Sequence, residues 1–171
     1  MNVLNIHERV LDAAPEQVGA LLDSLASPAD RLWAWHTWPR MAFDRPLAVG
    51  ADGGHGPIRY IVVAYTPGRS IRFRFTGPAG FDGWHGFEVI QDGAQTLLRH
   101  TVKMRTHGRA LLTWPLVYRP MHDALLEDTL TVAQASPGLT PVIAPWSARV
   151  KLLRWLVTGG KARKQSIRRE S

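Results

Sequence analysis

Between Thr113 and Ala135 the chain reads TWPLVYRPMHDALLEDTLTVAQA and then meets Ser136-Pro137-Gly138. At about 100° per residue, Tyr118, Met121, His122, Leu125, Leu126, Thr129, Val132 and Ala133 share one arc. Arg119, Asp123, Glu127, Asp128, Thr131 and Gln134 take the other side, with only Ala124 and Leu130 out of pattern. This predicts an amphipathic helix long enough to cross a small domain. Thr113 is placed to cap it, Pro115 is tolerated in its first turn, and Pro137-Gly138 stops it. Pro120 has no N–H for the carbonyl of Leu116 and crowds it, so a kink is expected there. Because this helix follows a run of strand-like segments, the expected arrangement is an antiparallel sheet curled around it.

Residues 3–12 (VLNIHERVLD) are rich in β-formers and suit a first strand. Pro15 opens a helix carrying Val18, Leu21, Leu22 and Leu25 at helical spacing, and Ser27-Pro28-Ala29-Asp30 reads as the start of a short second helix into Leu32 and Trp33. WAWHTWPRMAF then places Trp33, Trp35, Trp38 and Phe43 close together. Indoles so clustered need burial and N–H partners, either in a satellite core or at the mouth of a cavity. A strand is expected over 40–49. Gly50–Arg59 (GADGGHGPIR) reads as a tight glycine loop, without the Gly-Lys-Ser/Thr ending or following helix of a phosphate-binding loop.

Two hairpins follow. With Pro67-Gly68 as central residues, Tyr60 faces Phe75, Val62 faces Phe73 and Ala64 faces Ile71, although a two-residue type II connection is disfavoured and open to lengthening. With Asp92-Gly93 as the second turn, Phe87 meets Leu98, Val89 meets Thr96, and His85 lies directly opposite His100, about 4.5–5.5 Å away at Cβ. Leu98, His100, Val102 and Met104 alternate with Arg99, Thr101, Lys103 and Arg105. Two histidines are thus expected side by side on an otherwise apolar concave face.

The net charge of +7 belongs to one end of the chain. Residues 1–148 carry 13 Lys+Arg and 13 Asp+Glu; residues 149–171 carry 8 basic residues against Glu170 alone. A nucleic-acid partner is therefore not inferred from the overall charge. After Gly138, LTPVIAP reads as a linker. Trp146–Val157 reads as a short amphipathic helix, with Trp146, Val150, Leu153 and Val157 inward and Lys151 and Arg154 opposite. Residues 1–138 are expected to form the domain, and 139–171 a linker, helix and basic tail. The tail is expected to pack on the body with a solvated end, to touch an anionic membrane through 146–171, or to make non-specific contacts with RNA phosphates.

The order of strand, two helices, hairpin-connected sheet and long final helix is similar to the helix-grip fold of the START-like or SRPBCC superfamily. That superfamily includes polyketide cyclase/dehydrase, lipid-transport and birch-pollen-allergen-type proteins. The resemblance rests on WAWHTWPRM, on AYTPGRSIRFRF, on WPLVYRPMHDALLEDTL and on DGGHGPIR, and covers roughly residues 1–138. It implies an α+β domain whose curved antiparallel sheet wraps the long C-terminal helix. Six strands are read here, where pollen-allergen-type members have seven. It further implies an apolar cavity for a hydrophobic or lipid-like small molecule. Expected to line it are Trp35, His36, Trp38, Tyr60, Val62, Phe73, Phe75, Phe87, Leu98, Val102, Met104, Tyr118, Met121 and Leu125.

Four histidines are candidates for the polar minority of that cavity: His85, His100, His122 and His36. They are candidates either for a structural network bonded among themselves, to Tyr60 or to water, or for ligand orientation and general acid–base work. An aromatase/cyclase-type enzyme and a tail-driven interaction module are the alternatives to simple binding. The absence of cysteine excludes thiol catalysis and Cys-ligated zinc. No G-x-S-x-G elbow is present, and Glu88 is expected on the outer face beside Arg99. No metal or cofactor is expected. No signal peptide or 18-residue apolar run is visible, so a cytoplasmic protein is expected, peripheral at the membrane if the tail binds there.

Overall fold

The computed structural model describes residues 1–93 and 95–160. The basic run from Lys161 to Arg169 lies outside the described residues. In chain order the elements are β1 (Asn2–Leu11), α1 (Pro15–Asp23), β2 (Ala42–Phe43), β3 (Asp52–His55), β4 (Ile58–Thr66), β5 (Ser70–Gly77), β6 (Phe81–Asp92) and β7 (Gln95–Thr106). There follow α2 (Ala110–Thr113), a π-helical turn (Trp114–Tyr118), α3 (Arg119–Ala135) and α4 (Ala148–Val157). The strands form one antiparallel seven-stranded sheet in the order β1-β7-β6-β5-β4-β3-β2. It is a meander with β1 returned to the edge of β7, and its concave face grips the long helix. The chain is an α+β helix-grip domain.

Seven strands replace the six expected, because the glycine-rich stretch is itself a strand. At Gly53 a methyl group would overlap the carbonyl of Ala42, and at Gly54, with φ +153°, the carbonyl of Ile58. Only glycine lets β2, β3 and β4 approach so closely. The strand expected over 40–49 shrinks to Ala42–Phe43, because the Asp44 carboxylate accepts the Asp52 N–H at 3.0 Å and turns the chain. The second helix expected from Ser27 does not form. Asp30 instead takes the N–H groups of Ala26, Leu32 and Trp33 at 2.9–3.0 Å, so side-chain bonds replace helical ones.

In the β4–β5 hairpin Tyr60↔Phe75 and Val62↔Phe73 pair as expected. Val63 then bulges out, and the pairing continues as Ala64↔Arg72 and Tyr65↔Ile71 to Thr66↔Ser70. The connection therefore has three residues, Pro67-Gly68-Arg69, the Arg69 N–H meeting the Thr66 carbonyl at 3.0 Å. The β6–β7 hairpin closes at Asp92↔Gln95, which shifts every partner by two relative to the expected register: Val89↔Leu98, Phe87↔His100, His85↔Val102. An even shift leaves every side chain on its expected face. It makes His85 and His100 diagonal rather than direct neighbours.

The helical segment runs unbroken from Ala110 to Ala135, beginning before Thr113, which makes no capping bond. The kink expected at Pro120 is taken up by the π-helical turn, where the Arg119 N–H reaches back to Trp114. Pro120 offers no N–H to the carbonyls of Pro115 or Leu116. Arg149 supplies the substitute, its Nη2 donating to them at 3.2 and 2.8 Å.

The far side of α3 is not a solvated face. Residues 139–145 lie along it as a strap: the Gln134 Oε1 accepts the Val142 N–H at 3.0 Å, and the Thr131 hydroxyl lies 2.8 Å from the Val142 carbonyl. Asp128, Leu130, Thr131 and Gln134 are consequently buried. In α4 the expected faces are altered in the same way. Trp146, Val150 and Arg154 point inward, whereas Leu152, Leu156 and Val157 are exposed. Two apolar cores result: the larger joins α1, the sheet and the C-terminal half of α3; the smaller gathers Val3, Phe81, Val102, Met104, Ala110 and Trp114.

Candidate functional site: a histidine-bearing cavity under the long helix

A cavity of about 260 Å³ lies between the sheet and the helix. The sheet side contributes His55 of β3, Ile58 of β4, Phe75 of β5, Phe81 and His85 of β6 and His100 of β7. The helix side contributes Thr113, Trp114, Val117, Tyr118, Met121, His122, Leu125 and Leu126, while Trp33, Trp38, Pro39, Pro57 and Val157 complete the wall. Pro39, Pro57 and Val157 are the exposed members of this lining and mark its mouth. Among the described residues no Asp, Glu, Lys or Arg is part of it. The space exists because the π-helical turn and the two separate cores hold sheet and helix apart at this end. Large rings (Phe81, Trp114, Tyr118) prop the gap open, edge to face at 5.2–5.7 Å.

Four histidines stand in this wall, and burial dominates all of them. Burial pushes His55 down to about 3 and holds His85 and His100 well below the ordinary imidazole value; neighbouring imidazoles add to this. His122 is lowered too, first by burial, with Asp123 opposing. All are neutral at pH 7. His85 Nδ1 lies 3.3 Å from His100 Nε2, and His55 Nδ1 lies 3.0 Å from the Tyr60 hydroxyl. Among the described residues, His85 Nε2, His100 Nδ1 and both nitrogens of His122 have no hydrogen-bond partner. A neutral imidazole carries one N–H and one lone pair. If His85 donates to His100, its Nε2 is a bare acceptor and His100 Nδ1 carries the N–H; reversing the bond reverses both. The pair therefore always holds one spare donor and one spare acceptor.

Behind His122, toward solvent, sits a polar cluster. His7 of β1 bridges two carboxylates, Nδ1 to Glu127 at 2.9 Å and Nε2 to Asp123 at 3.1 Å. Both ring nitrogens face carboxylate acceptors, an arrangement that favours the protonated imidazole. Burial alone would lower its pKa, and the two carboxylates together raise it. Asp123, which burial would raise, is held below the usual carboxylate range by His122 and His7. Arg9 adds a 2.7 Å pair to Glu127. His122 Nδ1 is 3.6 Å from Asp123, beyond hydrogen-bond length. His7, His122 and Asp123 are near enough to suggest metal ligands, but both nitrogens of His7 are already engaged by the Glu127 and Asp123 carboxylates.

The expected site residues divide by depth. Trp38, Phe75, His85, His100, Tyr118, Met121, His122 and Leu125 reach the cavity. Tyr60, Val62, Phe73, Phe87, Leu98, Val102 and Met104 are buried and do not line the cavity; His85 stacks on Phe73 at 4.9 Å and His100 meets Phe87 at 4.6 Å, so histidine rings cover these two. Trp35 and His36 stack on one another at 3.5 Å away from the cavity; Trp35 is half-buried, with Arg40 over its indole, and His36 is exposed. Sequence reasoning did not place His55, Phe81, Trp114 or Val157 in the site. The glycine run around His55 was the available signal. Phe81 and Trp114 are large apolar residues at element starts, which periodicity does not read.

No family model matches the chain, and no curated protein does. Among solved structures, CalU16 from Micromonospora echinospora superposes with a TM-score of 0.57 at 14% identity, over 90% of this chain and 89% of that one. The di-domain ARO/CYC StfQ of the steffimycin biosynthetic pathway gives 0.59 at 14% identity, over 79% of this chain and 50% of that one. A norcoclaurine synthase point mutant from Thalictrum flavum, in complex with a transition-state analogue, gives 0.52 at 13% identity, over 76% and 96%. At such identities the likeness is one of fold, and the fold is the helix grip that the sequence resembles.

Proposed function

We propose, from the premise of a helix-grip domain with open space beneath its helix, that the chain binds a small, uncharged, largely apolar molecule in that space. The observation that carries this is the lining: aromatic and aliphatic apart from Thr113 and the histidines, with no charged side chain among the described residues and with His85 and His100 held neutral by burial. Such a wall favours ring systems and disfavours ions, which would lose hydration without gaining a counter-charge. An apolar cavity of about 150 Å³ already takes up benzene, so this larger one has room for more than a single ring. The likeness in fold to an ARO/CYC protein and to a norcoclaurine synthase is in keeping with this reading.

The expected result is that neutral aromatic compounds raise the melting temperature by several degrees at saturation, the effect of about 2.7 kcal/mol at a hundredfold excess over Kd. Fatty-acid anions are expected to do less. Native mass spectrometry of protein from its own host should show a bound hydrophobic species. Absence of any stabilising compound, or binding undiminished in Val117→Trp, which fills the cavity, would refute the reading.

One observation favours chemistry as well as binding: the His85–His100 pair with its spare donor and spare acceptor. It suits proton transfer within a carbonyl-bearing ligand, as in an aromatase/cyclase-type enzyme. His85→Ala and His100→Ala should then abolish turnover of a polyketide analogue while binding stays measurable. Turnover unchanged in both variants would leave the pair with a structural role.

A further inference from the structure

We infer that the outward face of α4 is a docking surface for an anionic lipid bilayer, seating the mouth of the cavity at the membrane. This goes beyond the cavity reading and does not rest on it. In α4 the inward face is already taken. Val150 is buried, and Arg154, 5% exposed, lies over the Trp38 and Trp146 rings at 4.1 and 4.4 Å and donates to the Thr37 carbonyl at 2.7 Å. The helix is thus anchored by its arginine, and its apolar residues turn the other way: Leu152 is 57%, Trp155 51% and Leu156 58% exposed. At helical spacing these three share one face. Burying charge and exposing leucine and indole reverses the usual arrangement of a helix packed on a soluble body.

The occupant follows from charge and chemistry. Lys151 flanks the apolar face, and Arg149 borders it while holding the carbonyl of Leu116, itself 54% exposed. Beyond Gly160, residues 161–171 add 5 basic residues against 1 acidic, whereas residues 1–148 are neutral overall. Leucine and tryptophan beside lysine and arginine suit the boundary between acyl chains and anionic headgroups. Two of the three exposed side chains are leucines, which offer nothing to bases or phosphates, so a bilayer is favoured over RNA. A second copy of the chain would bring its own positive charge to the same contact. Val157, at the end of α4, is a wall of the cavity mouth, so a bilayer against this face lies next to the opening.

The test uses the full chain and vesicles of phosphatidylcholine, with or without a fraction of phosphatidylglycerol. Co-sedimentation is expected to be about ten-fold stronger on the anionic vesicles and to weaken with salt. Trp155→Ser with Leu156→Ser should lower it by about ten-fold, and Lys151→Glu by a smaller factor. All three residues are exposed, so unchanged melting temperatures will show the variants folded. Because the chain has no cysteine, Leu152→Cys gives a single site for a polarity-sensitive dye, expected to shift to the blue only with anionic vesicles. No vesicle binding, or binding that the double serine variant leaves intact, overturns the inference. So does vesicle-free self-association lost in that variant, which would assign the face to a second copy, and so does binding of RNA but not of vesicles.

Discussion

Arg154 shows how one residue can reverse the reading of a helix. By pattern it belongs outside; in the fold its guanidinium is covered by two indoles, whose N–H groups both donate to the Asp128 carboxylate at 2.8 and 3.0 Å. A planar, weakly hydrated cation suits such a slot and a compact ammonium does not. Arg154→Lys is therefore expected to destabilise the protein by about 1–3 kcal/mol, read as a lowered urea midpoint. A midpoint equal to that of the unaltered chain would show that charge alone matters there. The demand for indole partners was legible in the sequence, and Trp33 meets it with the Pro39 carbonyl at 2.9 Å. That Asp128 would answer for Trp38 and Trp146 was not, since its neighbours in the chain say nothing of a tryptophan 90 residues away.

At the scale of elements, the long helix and both hairpins could be read directly, because periodicity and turn chemistry are local properties. The error in the β6–β7 register was one turn residue. It moved His100 from opposite His85 to diagonal without changing face, since side chains alternate with period two. The π-helical turn was legible only as trouble at Pro120; its resolution needed Arg149 from another element. This predicts a coupling. Arg149→Ala should cost about 1 kcal/mol. In a Pro120→Ala background, which restores an N–H to the helix, that cost should fall toward zero. Full additivity of the two substitutions in urea titrations would show that Arg149 does not serve those carbonyls.

Across the whole molecule, the cavity makes stability depend on pH. His55, His85, His100 and His122 have pKa values lowered by burial, so below about 6.5 the unfolded chain takes up protons that the folded chain refuses. Each such group costs up to about 1.4 kcal/mol per pH unit in that range. His7 acts in the opposite sense: its raised pKa contributes stability that is full below about 6.5 and lost as the pH rises through its folded value. One group cannot offset four, so the urea midpoint should fall steeply from pH 7 to 5, and His85→Gln should flatten the slope. A level profile would mean that these rings are hydrated and the cavity wet. The sequence by itself determined the long helix, the two hairpins, the alternation that puts histidines among apolar residues, and the charged end, because these depend on neighbours along the chain. Only the tertiary structure decided which concave residues meet open space, which face of α4 is covered, and where His7 finds its carboxylates. Those depend on how far a sheet and a helix stand apart, a distance set jointly by all the side chains between them.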